Sequence, residues 1–239
     1  MITLAVSGCQ GRMGQRITQL GLADKDFKVA TLLENKNHPK ANETISGIRI
    51  STSADALKGN DVLIEFTTPE ATIEHVNACV NYGVKMVIGT TGLTKEQVEK
   101  IQQAAKTIPI VFSSNMSIGV NILFKLAEML AKTTPASYAI NMTEAHHIHK
   151  KDAPSGTAKT LAEVIEKNSS RRVLDIQSIR EGEIIGDHKV IFESPDDTLV
   201  IDHHAKNRDI FAKGSLVAAK FVYTKKNGLF NMQDVLGLK

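Results

Sequence analysis

Short apolar runs alternate with helical stripes through the first half of the chain. ITLAVSG (2–8) is an apolar run closed by glycine, which predicts a buried strand. RMGQRITQLGLA (12–23) then sets Met13, Ile17, Leu20 and Leu22 at helical spacing. FKVATLLE (27–34) predicts a second strand, and DVLIEFT (61–67), VKMVIGT (84–90) and IPIVFSS (108–114) predict three more. Between them lie two helical patterns, ATIEHVNACVNYG (71–83) and KEQVEKIQQAAK (95–106). Strands that alternate with amphipathic helices predict a parallel sheet with helices on its faces. NKNHPKANETISGIRI (35–50) is polar and weakly periodic, which predicts a loop and a short edge element.

The pattern changes near residue 117. GVNILFKLAEMLAKTTP (119–135) predicts a helix that stops before Pro135, and YAINMTEAHHIH (138–149) predicts a strand. In PSGTAKTLAEVIEK (154–167), Pro154 and Ser155 precede a helical run. IQSIREGEIIGDHKVIFES (176–194) and DTLVIDHHAKN (197–207) read as strands joined by turns at Gly186-Asp187 and Pro195-Asp196-Asp197. Such strands predict an antiparallel or mixed sheet, hence a second domain. SLVAAKFVYTKK (215–226) returns to helical spacing.

Composition narrows the function. The 239 residues suffice for one large domain or two small ones, with ordinary apolar (42%) and charged (23%) fractions. A net charge of +3, no tryptophan and 5% aromatic residues argue against nucleic acid as a partner. Cys9 and Cys79 share no C-x-x-C spacing and read as reduced thiols. MITLAVSG has no basic leader, and no stretch approaches the ~18 apolar residues of a spanning helix, so a cytoplasmic protein without membrane contact is expected.

The first chemical motif is SGCQGRMG. Its glycines at 8, 11 and 14 lie between the first strand and the first helix, and Glu34 ends the second strand twenty residues after Gly14. Glycine lets a backbone approach a pyrophosphate, a helix N-terminus offers free N–H groups, and an acid at that distance bonds a ribose. Small and hydroxyl-bearing residues at further strand ends are candidates to face a cofactor: Phe66 and Thr67, Gly89 to Gly92, and Ser113 to Asn115.

The second motif is EAHHIHKKDAPSGTAKT (144–160). Its histidines can trade protons near neutral pH, and Lys150 precedes a helix start at Ser155, Gly156 and Thr157 that suits a carboxylate. A metal site is the competing reading. Adjacent strand residues face opposite sides, however, so a regular strand cannot turn both His146 and His147 inward. Glu144 can share a face with His146, but no cysteine joins them, so a structural or solvated histidine cluster is the better reading and no metal is expected. His149 and Lys151 read as solvent-facing, and His203-His204 repeat the pair without an anion seat. A dinucleotide sensor would need the glycine loop but no proton donor. A semialdehyde dehydrogenase would place a nucleophilic cysteine in the second domain, whereas both cysteines lie in the first.

SGCQGRMG, GTTG, SSNMSIGVN and above all EAHHIHKKDAPSGTA closely resemble the 4-hydroxy-tetrahydrodipicolinate (dihydrodipicolinate) reductase family, in order from residue 4 to about residue 232. The resemblance implies an α/β protein. A Rossmann-type dinucleotide-binding domain would comprise 1–117 and 209–239, and a central α+β mixed-sheet domain, 118–208, would bind substrate and assemble a homotetramer. It implies reduction of a cyclic dicarboxylate by NADH or NADPH in diaminopimelate and lysine biosynthesis. By motif position, His146 is the proton donor, Lys150 its catalytic partner, and His147, Ser155, Gly156 and Thr157 bind the substrate. Gly8, Cys9, Gln10, Gly11, Arg12 and Met13 form the pyrophosphate loop, and Glu34 contacts the ribose. Gly89, Thr90, Thr91, Ser113, Ser114, Asn115 and Met116 lie on the nicotinamide side. Arg208 takes the place of a basic residue near substrate and hinge. Many members follow the ribose glutamate with arginine. Asn35 and Lys36 stand here instead, which implies that NADH serves at least as well as NADPH.

Overall fold

Every apolar run forms its strand in the computed structural model, which describes residues 1–239. In chain order the elements are β1 (Ile2–Ser7), α1 (Arg12–Ala23), β2 (Phe27–Leu33), β3 (Thr44–Ile45), β4 (Ile48–Ser51), β5 (Val62–Glu65), α2 (Pro69–Tyr82), β6 (Lys85–Ile88), α3 (Lys95–Ala104) and β7 (Pro109–Phe112). Then follow α4 (Ile118–Thr133), β8 (Ala139–His146), α5 (Gly156–Asn168), β9 (Asp175–Arg180), β10 (Asp187–Glu193), β11 (Thr198–His204), α6 (Asp209–Tyr223), β12 (Gly228–Phe230) and α7 (Met232–Val235). Local chemistry sets the boundaries. Thr68 caps α2 ahead of Pro69, and Gly83 ends it in the left-handed region, while Thr94 and Gln97 form a reciprocal capping box on α3.

The chain divides into two units, one of 1–117, 211–237 and 239, the other of 118–210 and 238. The first holds an eight-stranded sheet in the order β12-β7-β6-β5-β1-β2-β4-β3. All its pairings are parallel except that of β3 with β4. Leu4, Ala5, Val6, Leu63, Ile64, Met86, Val87, Ile110 and Val111 are fully buried, as strands covered on both faces require. β2 and β5 flank β1 on opposite sides, so strand order reverses there. Open parallel sheets bind ligands beyond the strand ends at such a switch point. β12 was not predicted: three residues are too few for a period to show.

The second unit holds a four-stranded mixed sheet, β11-β10-β8-β9, with α4 and α5 packed on one face. Leu123, Phe124 and Ala127 of α4, Leu161 and Ile165 of α5, Met142 of β8 and Phe192 of β10 share its core. The expected turn at Gly186-Asp187 is not a hairpin. β9 runs parallel to β8, and β10 pairs with the opposite edge of β8, so residues 181–186 must cross the end of β8. Glu181 N–H donates to the His146 carbonyl at 2.9 Å on the way. Sequence alternation reports faces, not neighbours, and therefore missed this crossing. The turn at residues 194–197 does join β10 to β11 as expected. No helix is long and apolar enough to cross a membrane.

Candidate active site

The glycine loop is built by exclusion of side chains. Gly8 follows β1 at φ +68°, and a Cβ there would lie 2.5 Å from the Phe66 carbonyl oxygen. A Cβ at Gly14 would meet the Gly8 carbonyl oxygen at 2.0 Å, so α1 can lie this close to the loop only with glycine. Gly11 is the N-cap of α1 and offers no side-chain acceptor, and the first turn of α1 carries no acid. Arg12 is exposed and Met13 half-buried in that turn. These are the features of an anion seat, and they fit a dinucleotide pyrophosphate. Cys9 is fully buried. Burial first, and then the Glu34 charge, push its thiol up to about 12, so it is packing rather than nucleophile.

Glu34 sits directly after β2. Its Oε2 accepts from Gln10 N–H and its Oε1 from Asn35 N–H, both at 2.9 Å. The carboxylate thus ties the glycine loop to the end of β2, with lone pairs left for further donors. Gly89, Thr90 and Thr91 follow β6, and Ser113 to Met116 follow β7. Thr90 is buried, its hydroxyl accepting from Thr67 N–H at 3.1 Å, whereas Thr91 is exposed. Ser113 Oγ donates to the Asn115 carbonyl and Asn115 Oδ1 accepts from Ser117 N–H, which fixes that loop. Met116 is buried, its carbonyl packed on Gly214 of α6.

In the second unit, Glu144 and His146 share a face of β8 as predicted. Glu144 Oε2 lies 2.5 Å from His146 Nδ1. A carboxylate only accepts, so Nδ1 carries the proton of that bond and Nε2 is left to exchange one. Glu144 Oε1 takes Arg180 at 2.7 Å and Ser155 N–H at 3.3 Å. Burial works to raise the Glu144 carboxyl, but hydrogen bonds led by that of Arg180 outweigh it and keep the group ionised. Burial pushes His146 below its usual range. Glu144 opposes this through its bond and charge, and the Lys150 and Arg180 charges add to the lowering. Lys150 Nζ is held 2.8 Å from Asp152 Oδ1.

Ser155 is the N-cap of α5, its hydroxyl accepting from Ala158 N–H and lying 3.2 Å from His188 Nε2. That hydroxyl is already engaged, so the open part of the helix start is at Gly156, exposed with nothing within 4 Å of a notional Cβ and followed by half-buried Thr157. His147 lies just past β8, its Nδ1 buried without a partner and its ring 6.1 Å from that of His149. Arg208 lies in the turn before α6. His203 is the cross-strand partner of His188, while His204 pairs with Asp187.

Arg180 and His188 escaped the sequence reading. Nothing local marks them. Arg180 arrives as the parallel partner of His146, and His188 as the antiparallel partner of Glu144. Ligand atoms of Glu144, His146 and His188 lie within 4.8 Å of one another, the spacing of a metal-binding set. Both oxygens of Glu144 and the Nδ1 of His146 are nevertheless committed to hydrogen bonds.

His188 is 4% exposed, its ring edge-on to His146 at 5.2 Å. Burial, then the nearby His146, lowers it to about 3. The folded chain therefore refuses a proton that the unfolded chain accepts below about pH 6.5. Unfolded protein binds more protons in that window, so stability falls as pH drops from about 6.5 towards 3. His188 alone should remove about 3 kcal/mol by about pH 4, and His188→Gln should flatten that loss in chemical-denaturation series. Identical acid slopes for parent and variant would refute the buried neutral imidazole.

A Rossmann-type unit whose glycine loop has the features of an anion seat, joined to a mixed-sheet unit, is the architecture of two-unit dinucleotide-binding proteins. Family models for dihydrodipicolinate reductase match the chain almost end to end, the N-terminal model at residues 2–116 and the C-terminal model at 119–236. The chain is 43% identical to the 4-hydroxy-tetrahydrodipicolinate reductase of Nitrosomonas eutropha, over 100% of this chain and 99% of that one. It is 36% identical to the same enzyme of Pelagibacter ubique, over 100% and 99%. Its fold matches dipicolinate-bound dihydrodipicolinate reductase from Paenisporosarcina sp. TG-14 at a TM-score of 0.85, with 24% identity and 98% of each chain covered. The chain belongs to the dihydrodipicolinate reductase family, oxidoreductases of diaminopimelate and lysine biosynthesis.

Proposed function

We propose that this chain reduces 4-hydroxy-tetrahydrodipicolinate to tetrahydrodipicolinate, with the first unit binding the dinucleotide and the second the substrate. The observation that carries the reading is the Glu144–His146 couple beside Lys150 and the open start of α5. Gly156 and Thr157 seat one carboxylate at the N-terminal end of α5, and His147 and Lys150 hold the dianion with Arg208 nearby in the reaction. The glycine loop and Glu34 hold the dinucleotide, and the residues after β6 and β7 face its nicotinamide. Bound there, the reduced nicotinamide supplies the hydride. His146 supplies the proton from Nε2, steadied through Nδ1 by Glu144, and Lys150 balances the charge. Hydride and proton enter, and water leaves from the hydroxylated ring.

The lowered His146 value belongs to the ligand-free chain. Two substrate carboxylates bring negative charge to the imidazole and favour its protonated form, so binding itself loads the acid. The reaction needs no metal. The chain works in the cytoplasm as a homotetramer, assembled through the sheet face that bears Ile191 and Val200, opposite the helices.

A spectrophotometric assay tests the reading: NADH or NADPH oxidation with substrate generated from pyruvate and aspartate semialdehyde. No oxidation with either dinucleotide would refute it. NADH is expected to serve at least as well as NADPH. Glu34 accepts a ribose hydroxyl but repels a 2′-phosphate, and exposed Asn35 and Lys36 supply no guanidinium for one. Asn35→Arg should raise kcat/KM for NADPH selectively, because the gain exists only with the phosphate present. A parent preferring NADPH by about tenfold, roughly 1.4 kcal/mol, would overturn this expectation.

A further inference from the structure

A parallel strand buried on both faces has no need of a carboxylate, yet β5 ends in one. Glu65 is 0% exposed, beside Leu63 and Ile64. Its Oε2 lies 2.7 Å from Nδ1 of His75, which projects from α2. Its Oε1 accepts from the Thr67 hydroxyl and lies 3.4 Å from that of Thr72. The Thr72 hydroxyl is 2.9 Å from that of Thr90, which in turn accepts from Thr67 N–H at 3.1 Å. On the other side, His75 Nδ1 lies 3.3 Å from the hydroxyl of Ser7, the last residue of β1. One buried network therefore joins three strand ends: Ser7, which leads into Gly8, Thr67 after β5, and Thr90 after β6. These ends surround the switch point of the sheet. All of these groups belong to the first unit.

Buried ion pairs seldom stabilise a fold more than a well-packed apolar pair would, but they can fix geometry. Here the geometry fixed is the spacing of the loops assigned to the cofactor. We propose that Glu65 and His75 are a positioning pair for the dinucleotide, in which the imidazolium form of His75 holds the ends of β1, β5 and β6 at the spacing the cofactor needs. This rests on the dinucleotide role assigned above to the glycine loop and to Thr90.

The proton on His75 is the adjustable part. Burial opposes that proton, but the hydrogen bond and charge of Glu65 on β5 outweigh it, with the charge of Glu74 on the same helix adding to them. The net effect raises His75 above its ordinary value. Ser7 on β1 and Thr72 on α2 are neutral. As pH rises through the raised value, His75 loses its charge and Glu65 stays buried without a counter-charge. Cofactor affinity then falls.

The test is NADH binding to the whole chain by nicotinamide fluorescence, with kcat and KM, between about pH 6 and pH 9. The parent should bind NADH more weakly towards the alkaline end. Glu65→Gln and His75→Asn should each weaken NADH by about tenfold and lose that pH dependence, with kcat within about twofold of the parent. Parent-like affinity and pH profile in either variant overturn the proposal. So does a lowered Tm with unchanged NADH affinity, which marks a purely structural pair. A measurement on the parent alone covers variants that fail to fold. If His75 protonation favours NADH, then NADH must raise the pKa of His75 seen by NMR of the imidazole ring, because linkage is reciprocal. A His75 titration unmoved by saturating NADH overturns the proposal. A parent that binds neither NADH nor NADPH overturns the dinucleotide reading itself, an outcome distinct from a parent that binds both but is indifferent to His75.

Discussion

Replacing His146 and Lys150 together by alanine is expected to lower kcat by about 10⁴-fold or more, because a positioned acid or base contributes about 10²–10⁴-fold. His146 is the one imidazole in the second unit whose Nδ1 is tied to a buried carboxylate, which leaves Nε2 to deliver a proton. Lys150, anchored by Asp152, supplies the neighbouring positive charge. Neither residue lies in the first unit, where the dinucleotide is assigned, so NADH affinity should stay within about twofold of the parent. Fluorescence titration and steady-state assay on one preparation separate the two quantities. Turnover within about tenfold of the parent would remove both residues from the chemistry.

Glu144→Gln is expected to cost about 10²–10³-fold in kcat, although Glu144 itself touches no substrate in this scheme. The amide can turn its NH₂ towards His146 Nδ1. That nitrogen would then have to accept, placing the proton of the neutral ring on Nε2 and abolishing the imidazolium that Glu144 steadies. Arg180 would keep its contacts with the Ile179 and Asp152 carbonyls but lose its only ion pair. A fall in Tm should therefore accompany the loss of turnover. The pH dependence tells orientation from mere damage. Glu144 holds His146 up against burial, so in the variant the alkaline limb of kcat, where the acid loses its proton, should move to lower pH. An unchanged kcat, or a reduced kcat with an unmoved limb, would count against Glu144 as the residue that orients the acid.

The sequence alone determined what depends on near neighbours in the chain. Strand and helix periods repeat within a few residues, so the β–α alternation up to β7 was legible, as were the glycine loop and Glu34. Period two placed Glu144 and His146 on one face, and the helix start at Ser155 followed from capping chemistry. The carry-over of roles to His146, Lys150 and Thr157 came from a motif in which these residues are contiguous. Tertiary structure decided everything that required distant segments to meet. Arg180 reaches Glu144 across 36 residues because β9 lies parallel to β8, an arrangement that alternation of apolar residues cannot reveal. The same arrangement turned an apparent hairpin at Gly186 into a crossing over the end of β8. It also brought His188 against His146, where burial makes it neutral. Ser155 looked free to bind substrate, yet its hydroxyl is used by its own helix and by His188. Nothing local marks Glu65, and only the packing of α2 on the sheet supplied the imidazole that lets a carboxylate be buried there. Periodicity records which way a side chain points, but the partner that pays for its burial arrives only when the chain closes.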